Sequence, residues 1–225
     1  MKKLVFTSLL SLGLFSGLFA DSFSVSSVNG GAATGSTKLN FDTLSLGNAS
    51  QWADANVQVS FTGTGKVVQG ALSGEYAAPY ISGSNGVGFL NPNQPTGVDT
   101  SHYLSTGTGS VILQFNSAQN YFGMLWGSVD SYNTLSFYNG TSLVGSFTGT
   151  QIWANANGDQ GQQGTFYVNF NDLGGAFNKV VASSSQNAFE LDNVAYNSKG
   201  VPDSGSTLAL VGLVFAGLIS IRRKL

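Results

Sequence analysis

The chain of 225 residues contains no cysteine, one histidine and only four prolines. Without cysteine it has no disulfides, no thiolate nucleophile and no cysteine-based zinc site. Charged residues are sparse, at 9% of the chain. Between residues 21 and 200 there is no arginine, and the basic side chains there are Lys38, Lys66, Lys179 and Lys199. Because such a region has no basic stripe to neutralise a phosphate backbone, we predict that it does not bind nucleic acid.

Glycine is abundant, with 30 residues, and so are serine, threonine, asparagine and aromatic residues. Glycine and asparagine suit tight turns, whereas threonine, valine, phenylalanine and tyrosine suit pleated strands. Residues 21–200 carry ten acidic side chains against four lysines, a net charge of −6. Few charges and many aromatic residues argue against disorder. We therefore expect residues 21–200 to form one domain with its own hydrophobic core.

Short alternating runs separated by turn residues recur along this region, and we find no convincing helix. Phe166, Val168 and Phe170 lie on one face at a period of two, and residues 56–61 and 110–115 also read as strands. A period of two is that of a β-strand. About ten such runs with turn signals between them predict an all-β fold, which we expect to be an antiparallel β-sandwich of jelly-roll type.

The dipeptide Asn139-Gly140 separates two of these runs. It is a strong hairpin signal, because a type I′ turn needs positive φ at both central residues. A two-residue loop at this point predicts that Leu135 pairs with Val144 on the same face of the sheet.

The last strand contains a break in its alternation between Leu191 and Val194, with Asp192 and Asn193 at the switch. A β-bulge would explain the break, because it inserts one residue and re-aims the side chains that follow. The two polar side chains are then either caps for exposed backbone or, together with Asp42 from another strand, oxygen ligands for calcium. Both interpretations stay open at this point.

The last 25 residues combine three parts in a fixed order. A short polar motif comes first and reads Val201, Pro202, Asp203, Ser204, Gly205. The uncharged run 204–221 follows; as a helix it would be about 27 Å long, close to the thickness of a bilayer core. Three basic residues come next, before the final Leu225, and we expect them to stay on the cytoplasmic side: Arg222, Arg223 and Lys224. This order predicts a transmembrane segment that is either a plain anchor or a tail removed by an enzyme that reads the motif.

The motif at residues 201–205 resembles the VPDSG form of the PEP-CTERM sorting signal, in which a hydrophobic helix and an arginine-rich end follow the motif. The resemblance covers residues 201–225. It implies recognition by an exosortase, a membrane-embedded cysteine protease or transpeptidase of Gram-negative bacteria. It also implies transient anchoring in the inner membrane, followed by release to the cell surface or attachment there, often in bacteria that make extracellular polysaccharide.

The N-terminus agrees with export. Lys2 and Lys3 precede an apolar stretch that runs to Phe19, and Ala20 supplies a small residue for cleavage. This pattern predicts a secretory signal peptide over residues 1–20, with an uncleaved N-terminal anchor as the alternative.

Within the domain, residues 121–133, with the sequence Trp-Gly-Ser-Val-Asp at 126–130, and residues 135–140 carry a second resemblance. They are similar to a family of exosortase-dependent surface proteins from cyanobacteria and other bacteria that make polysaccharide. The similarity spans residues 40–196. It implies where the protein is located rather than what chemistry it performs.

Catalytic signals are weak. His102 is the only histidine, and no G-x-S-x-G nucleophile motif stands in a strand-to-helix context. Glycosidases need two carboxylates at a defined separation. Folding could bring Glu75 and Asp130 together, but their spacing in the sequence does not show whether it does. We predict that the protein is not an enzyme.

Aromatic side chains are the candidates for contact with a glycan, because sugar C–H faces pack on rings while the hydroxyls need polar partners. Trp126, Tyr132, Trp52 and Trp153 are candidates, and we select Trp126, Tyr132 and Trp153. Trp126 lies in an apolar run, so burial in the core is its alternative fate, whereas Trp153 precedes the polar, glycine-rich stretch 155–164. The sequence thus predicts an exported, exosortase-sorted, non-enzymatic surface or extracellular-matrix protein associated with exopolysaccharide. The alternatives are a lectin-like carbohydrate-binding module and, more distantly, a glycan hydrolase.

Overall fold

The computed structural model describes residues 22–28, 31–82, 85, 89, 96–172 and 174–198. The predicted signal peptide, the sorting motif at 201–205 and the basic end at 222–224 lie outside the described residues. Within the described part of the chain, no helix is long and apolar enough to cross a membrane.

The described chain is built from strands, with one short helix and one 3-10 turn. The strands are β1 (Phe23–Val28), β2 (Thr37–Leu39), β3 (Gln51–Trp52), β4 (Val57–Gly63), β5 (Lys66–Gln69), β6 (Tyr80–Ile81), β7 (Gly97–Val98), β8 (His102–Thr106), β9 (Gly109–Gln119), β10 (Tyr121–Gly127), β11 (Asn133–Asn139), β12 (Ser142–Thr148), β13 (Phe166–Asp172), β14 (Phe177–Ser184) and β15 (Phe189–Asn197). The helix α1 is Gly149–Ile152, and the 3-10 turn is Gln162–Gly164. The prediction of an all-β domain is confirmed.

The strands form two large antiparallel sheets. The first sheet has the order β1-β13-β10-β15-β8-β5, with β2 also paired to β15, and the second has the order β12-β11-β14-β9-β4-β3. From β8 to β15 the chain crosses between the two sheets at every connection except the β11–β12 hairpin. Strands β6 and β7 pair separately.

One hydrophobic core lies between the two sheets. Phe122 of the first sheet contacts Phe115 and Phe137 of the second, with ring centroids 6.4 Å and 5.8 Å apart. Trp126 stacks on Phe189 at 4.4 Å. Each such aromatic pair contributes about 0.5–1.5 kcal/mol beyond the burial of its area. The predicted alternation in β13 is confirmed, since Val168 and Phe170 face this core.

The outer face of the first sheet is also covered. A second cluster on that face joins Tyr121, Leu125 and Tyr167 of the sheet with Ile81 and Phe89 from the segment between β5 and β8. All seven residues of β10 are buried as a result. A strand covered on both faces shows no alternation, and β10 therefore reads as a continuous apolar run.

The predicted hairpin at residues 135–144 forms, but its predicted register is wrong. Asn139 pairs with Ser142, so the turn is Gly140-Thr141, one residue later than expected, with Gly140 at φ 60°. A bulge after Phe137 adds one further residue. Leu135 therefore pairs with Phe147 instead of Val144.

The predicted bulge in the last strand is confirmed. Gly123 pairs with Ala195, and Leu125 pairs with Asp192, so β15 carries one extra residue between these pairs. Asn193 has φ 50°, in the left-handed region that asparagine adopts more readily than most residues. The bulge returns the side chains after it to the core, which explains the break in alternation seen in the sequence.

Candidate functional site

A cleft of about 470 Å³ opens at one end of the first sheet, where β10 ends and β15 begins. Four chain segments surround it: residues 71–77, 128–132, 157–160 and 187–190. Its volume lies within the usual range of small-ligand sites, about 300–1,000 Å³. None of the described residues that line this cleft is basic.

Glu190 forms the floor of the cleft and is 1% exposed. One of its carboxylate oxygens accepts a hydrogen bond from the backbone N–H of Ala77 at 3.0 Å, and the other accepts one from the hydroxyl of Ser128. Burial raises the pKa of Glu190 to about 7, and the charge of Asp130 adds to the rise, while the two hydrogen bonds oppose it. Near neutral pH this carboxyl group is therefore present in both protonation states and can donate as well as accept a hydrogen bond.

Ser128 reaches Glu190 from an unusual backbone conformation. Its φ is 36°, a region that residues other than glycine rarely adopt and that costs of the order of 1–3 kcal/mol. Ser128 follows β10 directly, at the point where the chain turns towards Asp130. The surrounding structure thus holds the hydroxyl of Ser128 on the carboxyl group of Glu190 despite this cost.

Asp130 is the second carboxyl group of the cleft, 9% exposed. The hydroxyl of Tyr132 lies 2.6 Å from its Oδ2 and 2.8 Å from the carbonyl oxygen of Asn187. The hydroxyl of Tyr132 donates to Asp130, and the carbonyl oxygen of Asn187 is a second acceptor within its reach. Burial raises the pKa of Asp130, and its hydrogen bond with Tyr132 opposes the rise.

Gly158 allows the backbone to approach Asp130. A Cβ atom at this position would lie 2.6 Å from Asp130 Oδ2, and the φ of Gly158 is 71°. Both the close approach and the backbone conformation therefore favour glycine here.

Glu75 belongs to the exposed rim of the cleft. Its side chain is 51% exposed and forms an ion pair of 3.0 Å with Lys66. The ammonium group of Lys66 also lies 4.9 Å from the ring centroid of Tyr76. A smaller cleft of about 320 Å³ adjoins this rim and shares Glu75, Tyr76 and Asn187 with the larger one. The fold thus brings Glu75 and Asp130 to one cleft, with Glu75 in solvent and Asp130 nearly buried.

The three predicted glycan contacts have different environments. Tyr132 is half-buried and lines the cleft. Trp153 is also half-buried but packs on Phe166, with ring centroids 5.4 Å apart, and does not line it. The prediction of a glycan contact at Trp126 is wrong, because Trp126 is 0% exposed and stacks in the core between the sheets.

The predicted calcium residues lie at or near the bulge in β15. Asp192 is 0% exposed and Asn193 is 2% exposed, whereas Asp42 is exposed and accepts the backbone N–H of His102 at 3.1 Å. In the described ranges, no group of three or more His, Cys, Asp or Glu side chains is arranged to hold a metal ion. A calcium site there stays a prediction.

Glu190 was not selected from the sequence, although a signal was present. Glu190 and Asp192 are two acids spaced by two at the start of a largely buried strand, which places both on the same face. That face is opposite the core residue Leu191. An acidic pair on one face of a buried strand is unusual enough to mark the site.

Comparison with known protein families identifies a motif at the C-terminus. Residues 200–225 match the VPDSG-CTERM motif. The resemblance noted from the sequence is thereby confirmed. The VPDSG-CTERM motif is a C-terminal sorting motif of the PEP-CTERM type and indicates an exported protein sorted by an exosortase. No curated protein and no solved structure matches the chain.

Proposed function

We propose that the protein is a non-enzymatic component of the cell surface or extracellular matrix of a Gram-negative bacterium, where its β domain binds exopolysaccharide. Export requires the signal peptide at residues 1–20. The VPDSG-CTERM motif holds the protein in the inner membrane until an exosortase removes or exchanges the tail. The observation that carries the binding function is the polar cleft around Glu190 and Asp130.

The lining of the cleft suits a sugar. Amide groups from Asn157, Gln160 and Asn187 offer donors and acceptors, and Tyr76 and Tyr132 offer ring surfaces beside them. Sugar hydroxyls need such polar partners, whereas their C–H faces pack on aromatic rings.

The acidic side chains of the cleft favour a neutral polysaccharide over an anionic one. Glu75, Asp130 and Glu190 line it, and no basic side chain does so among the described residues. An anionic polymer would meet the like charge of these acids wherever they are ionised, which costs binding energy, and Lys66 at the rim is already paired with Glu75. A neutral polysaccharide is therefore the favoured ligand, since its hydroxyl groups donate to carboxylate oxygens.

The position of the cleft suits a protein that is anchored while it is processed. Glu190 lies near the start of β15, and the chain continues to the sorting motif from Asn197 at the other end. At about 3.3 Å per residue, the strand separates these two residues by roughly 20 Å. The cleft is thus at the opposite end of β15 from Asn197.

The strand order supports a jelly-roll sandwich as the finer description of the fold. The order β8-β15-β10-β13 in one sheet and β9-β14-β11-β12 in the other is that of two interlocked Greek keys. Such sandwiches are used by lectin domains as well as by capsid proteins. The fold is therefore compatible with glycan binding without demonstrating it.

Binding to a panel of purified polysaccharides tests the proposal. The full chain in mild detergent should co-sediment with neutral polymers and not with uronate-rich or sulfated ones. Tyr76→Ala should weaken this binding, and Trp52→Ala, an exposed tryptophan that does not line the cleft, is the matched control. Retention by anionic polymers alone would contradict the proposed ligand class.

A glycan hydrolase is the second candidate, favoured by one observation. A carboxyl group with a pKa of about 7, Glu190, shares the cleft with Asp130, and glycosidases use one protonated and one ionised carboxyl group. Release of reducing ends from a bound polysaccharide, lost in Glu190→Gln, would favour this activity over binding alone.

A further inference from the structure

Two different strands pair with the same side of β15, one before the bulge and one after it. Strand β8 pairs with residues 189–191 and strand β2 pairs with residues 194–196. Asp192 and Asn193 lie between these two ladders. Their side chains are therefore placed at a junction of three strands, beneath the segment that covers the outer face of the first sheet.

Asp192 is a buried carboxyl group without a normal donor. It is 0% exposed, and neither Oδ1 nor Oδ2 has a hydrogen-bond partner of acceptable geometry among the described residues. The backbone N–H of Asn193 and the carboxyl group of Asp99 come close enough to shift its pKa in opposite directions. Because burying an ionised carboxylate is costly unless it is paired, this arrangement requires a further partner or a proton.

The carboxyl group of Asp99 lies close enough to Asp192 to share a hydrogen bond with it, but it supplies no positive charge. Asp99 is 1% exposed, and its Oδ1 is held by the backbone N–H and the hydroxyl of Ser101 at 2.8 Å and 2.5 Å. Asp99 and, more weakly, Asp42 are the charged groups that raise the pKa of Asp192, and both are acids. The site therefore gathers negative charge in a place with little water.

Asn193 adds a second unpartnered polar atom. Its Nδ2 is buried and has no hydrogen-bond partner in the described part of the chain, and its backbone carbonyl accepts the hydroxyl of Tyr167 at 3.0 Å. The two ends of an asparagine amide are assigned from their hydrogen bonds. Rotating this amide by half a turn would place Oδ1 where Nδ2 now lies, and an oxygen there is a cation ligand.

We propose that Asp192 and Asp99, with the side-chain amide of Asn193, bind a divalent cation of the calcium class at the bulge of β15. Calcium accepts six to eight oxygen ligands in irregular geometry, including amide and backbone carbonyls, whereas magnesium demands a regular octahedron. Two carboxylates and a side-chain amide oxygen are ligands of this kind, and no third acidic ligand is needed. Extracellular modules bind calcium with dissociation constants of about 10⁻⁴–10⁻³ M, which suits an exported protein.

Thermal unfolding of the full chain in mild detergent, with calcium or with a chelator, tests this site. At a calcium concentration about a hundredfold above the dissociation constant, the melting temperature should rise by about 5–10 °C. Asp192→Asn should lose this rise. In the chelator the Asp192→Asn variant should be at least as stable as the wild type, because the substitution removes a buried acidic group that has no cation to pair with. A purely structural aspartate would instead lose the same stability in both conditions.

Glu190→Gln is the matched control, since it removes another buried carboxyl group from the same face of β15 and should keep the calcium response. Asp99→Asn is the second variant in case Asp192→Asn does not fold, because its amide oxygen still accepts from Ser101. If neither variant folds, terbium luminescence of the wild type, excited through tyrosine, should appear and be displaced by calcium.

Equal melting temperatures of the wild type in calcium and in chelator would overturn the proposal. The alternative would then be a proton shared between the carboxyl groups of Asp192 and Asp99. A calcium response that survives in both Asp192→Asn and Asp99→Asn would overturn it as well. Neither result depends on whether the cleft binds a glycan.

Discussion

Glu190 and Asp192 lie two residues apart on the same face of β15, and Glu190 lines the cleft whereas Asp192 is fully buried. The backbone of Ala77 and the hydroxyl of Ser128 hold the carboxyl group of Glu190 at the end of the sheet. Asp192 is 0% exposed and is therefore closed to solvent. One strand therefore supplies two carboxyl groups to two different sites, one open to a ligand and one closed to solvent.

Glu190 should make the stability of the protein depend on pH. Its pKa in the fold is about 7 against an ordinary value of 4.5, so between these values the unfolded chain loses the proton first. The free energy of unfolding should therefore fall as the pH rises from about 4.5 to 7, by at most about 3 kcal/mol, and level off above 7. Urea unfolding of the wild type and Glu190→Gln in a chelator measures this.

The difference between the two proteins isolates Glu190, because the other buried acids are common to both. Glu190→Gln should show a shallower fall over this pH range. An identical pH profile for the two proteins would mean that Glu190 is already ionised in the fold.

Gly158→Ala should be more destabilising than Gly140→Ala. Both glycines have positive φ, 71° and 60°, so both substitutions carry the left-handed cost of about 1–2 kcal/mol. At Gly140 no atom lies within 4 Å of the added Cβ, whereas at Gly158 Asp130 Oδ2 lies at 2.6 Å. Chemical denaturation of the two variants should show the extra loss at Gly158 alone. Equal losses would mean that Asp130 moves away without cost.

Trp126→Ala should cost about 3–5 kcal/mol of stability, because it empties a fully buried site stacked on Phe189. Trp52→Ala, at a side chain that is 54% exposed, should change stability by less than about 0.5 kcal/mol. Denaturant midpoints compare the two variants directly. A small effect at Trp126 would contradict its place in the core.

Processing should remove both ends of the chain. Protein isolated from native cells should lack residues 1–19 and residues 208–225, as expected for signal peptidase and exosortase cleavage. Intact-mass measurement checks both. Retention of the basic residues at 222–224 would show that the tail is a plain anchor.

The strands could be predicted from the sequence where only one face is buried. The alternation in β13 and β4 placed Val168, Phe170, Val57 and Val59 in the core as found. The bulge at Asn193 was predicted from the same rule, because a change of parity within one strand needs an extra residue. These features depend on local pattern alone.

Features set by tertiary packing could not be predicted. The hairpin at Gly140 formed with a different register, because the turn moved by one residue and β11–β12 carries a bulge. The cleft was missed because four segments that are distant in sequence surround Glu190. Among the selected aromatic residues, Tyr132 alone lines the cleft. The sequence does not show which aromatic side chains the fold places there.

Calorimetric titration of the full chain with a neutral oligosaccharide from the co-sedimenting polymer is the most direct test of glycan binding in the cleft. Tyr76→Ala and Gln160→Ala should each weaken binding about tenfold or more, corresponding to about 1.4 kcal/mol, while Trp52→Ala binds as the wild type does. The opposite result, with normal binding in both cleft variants and its loss in Trp52→Ala, would contradict the account and place the ligand elsewhere on the surface.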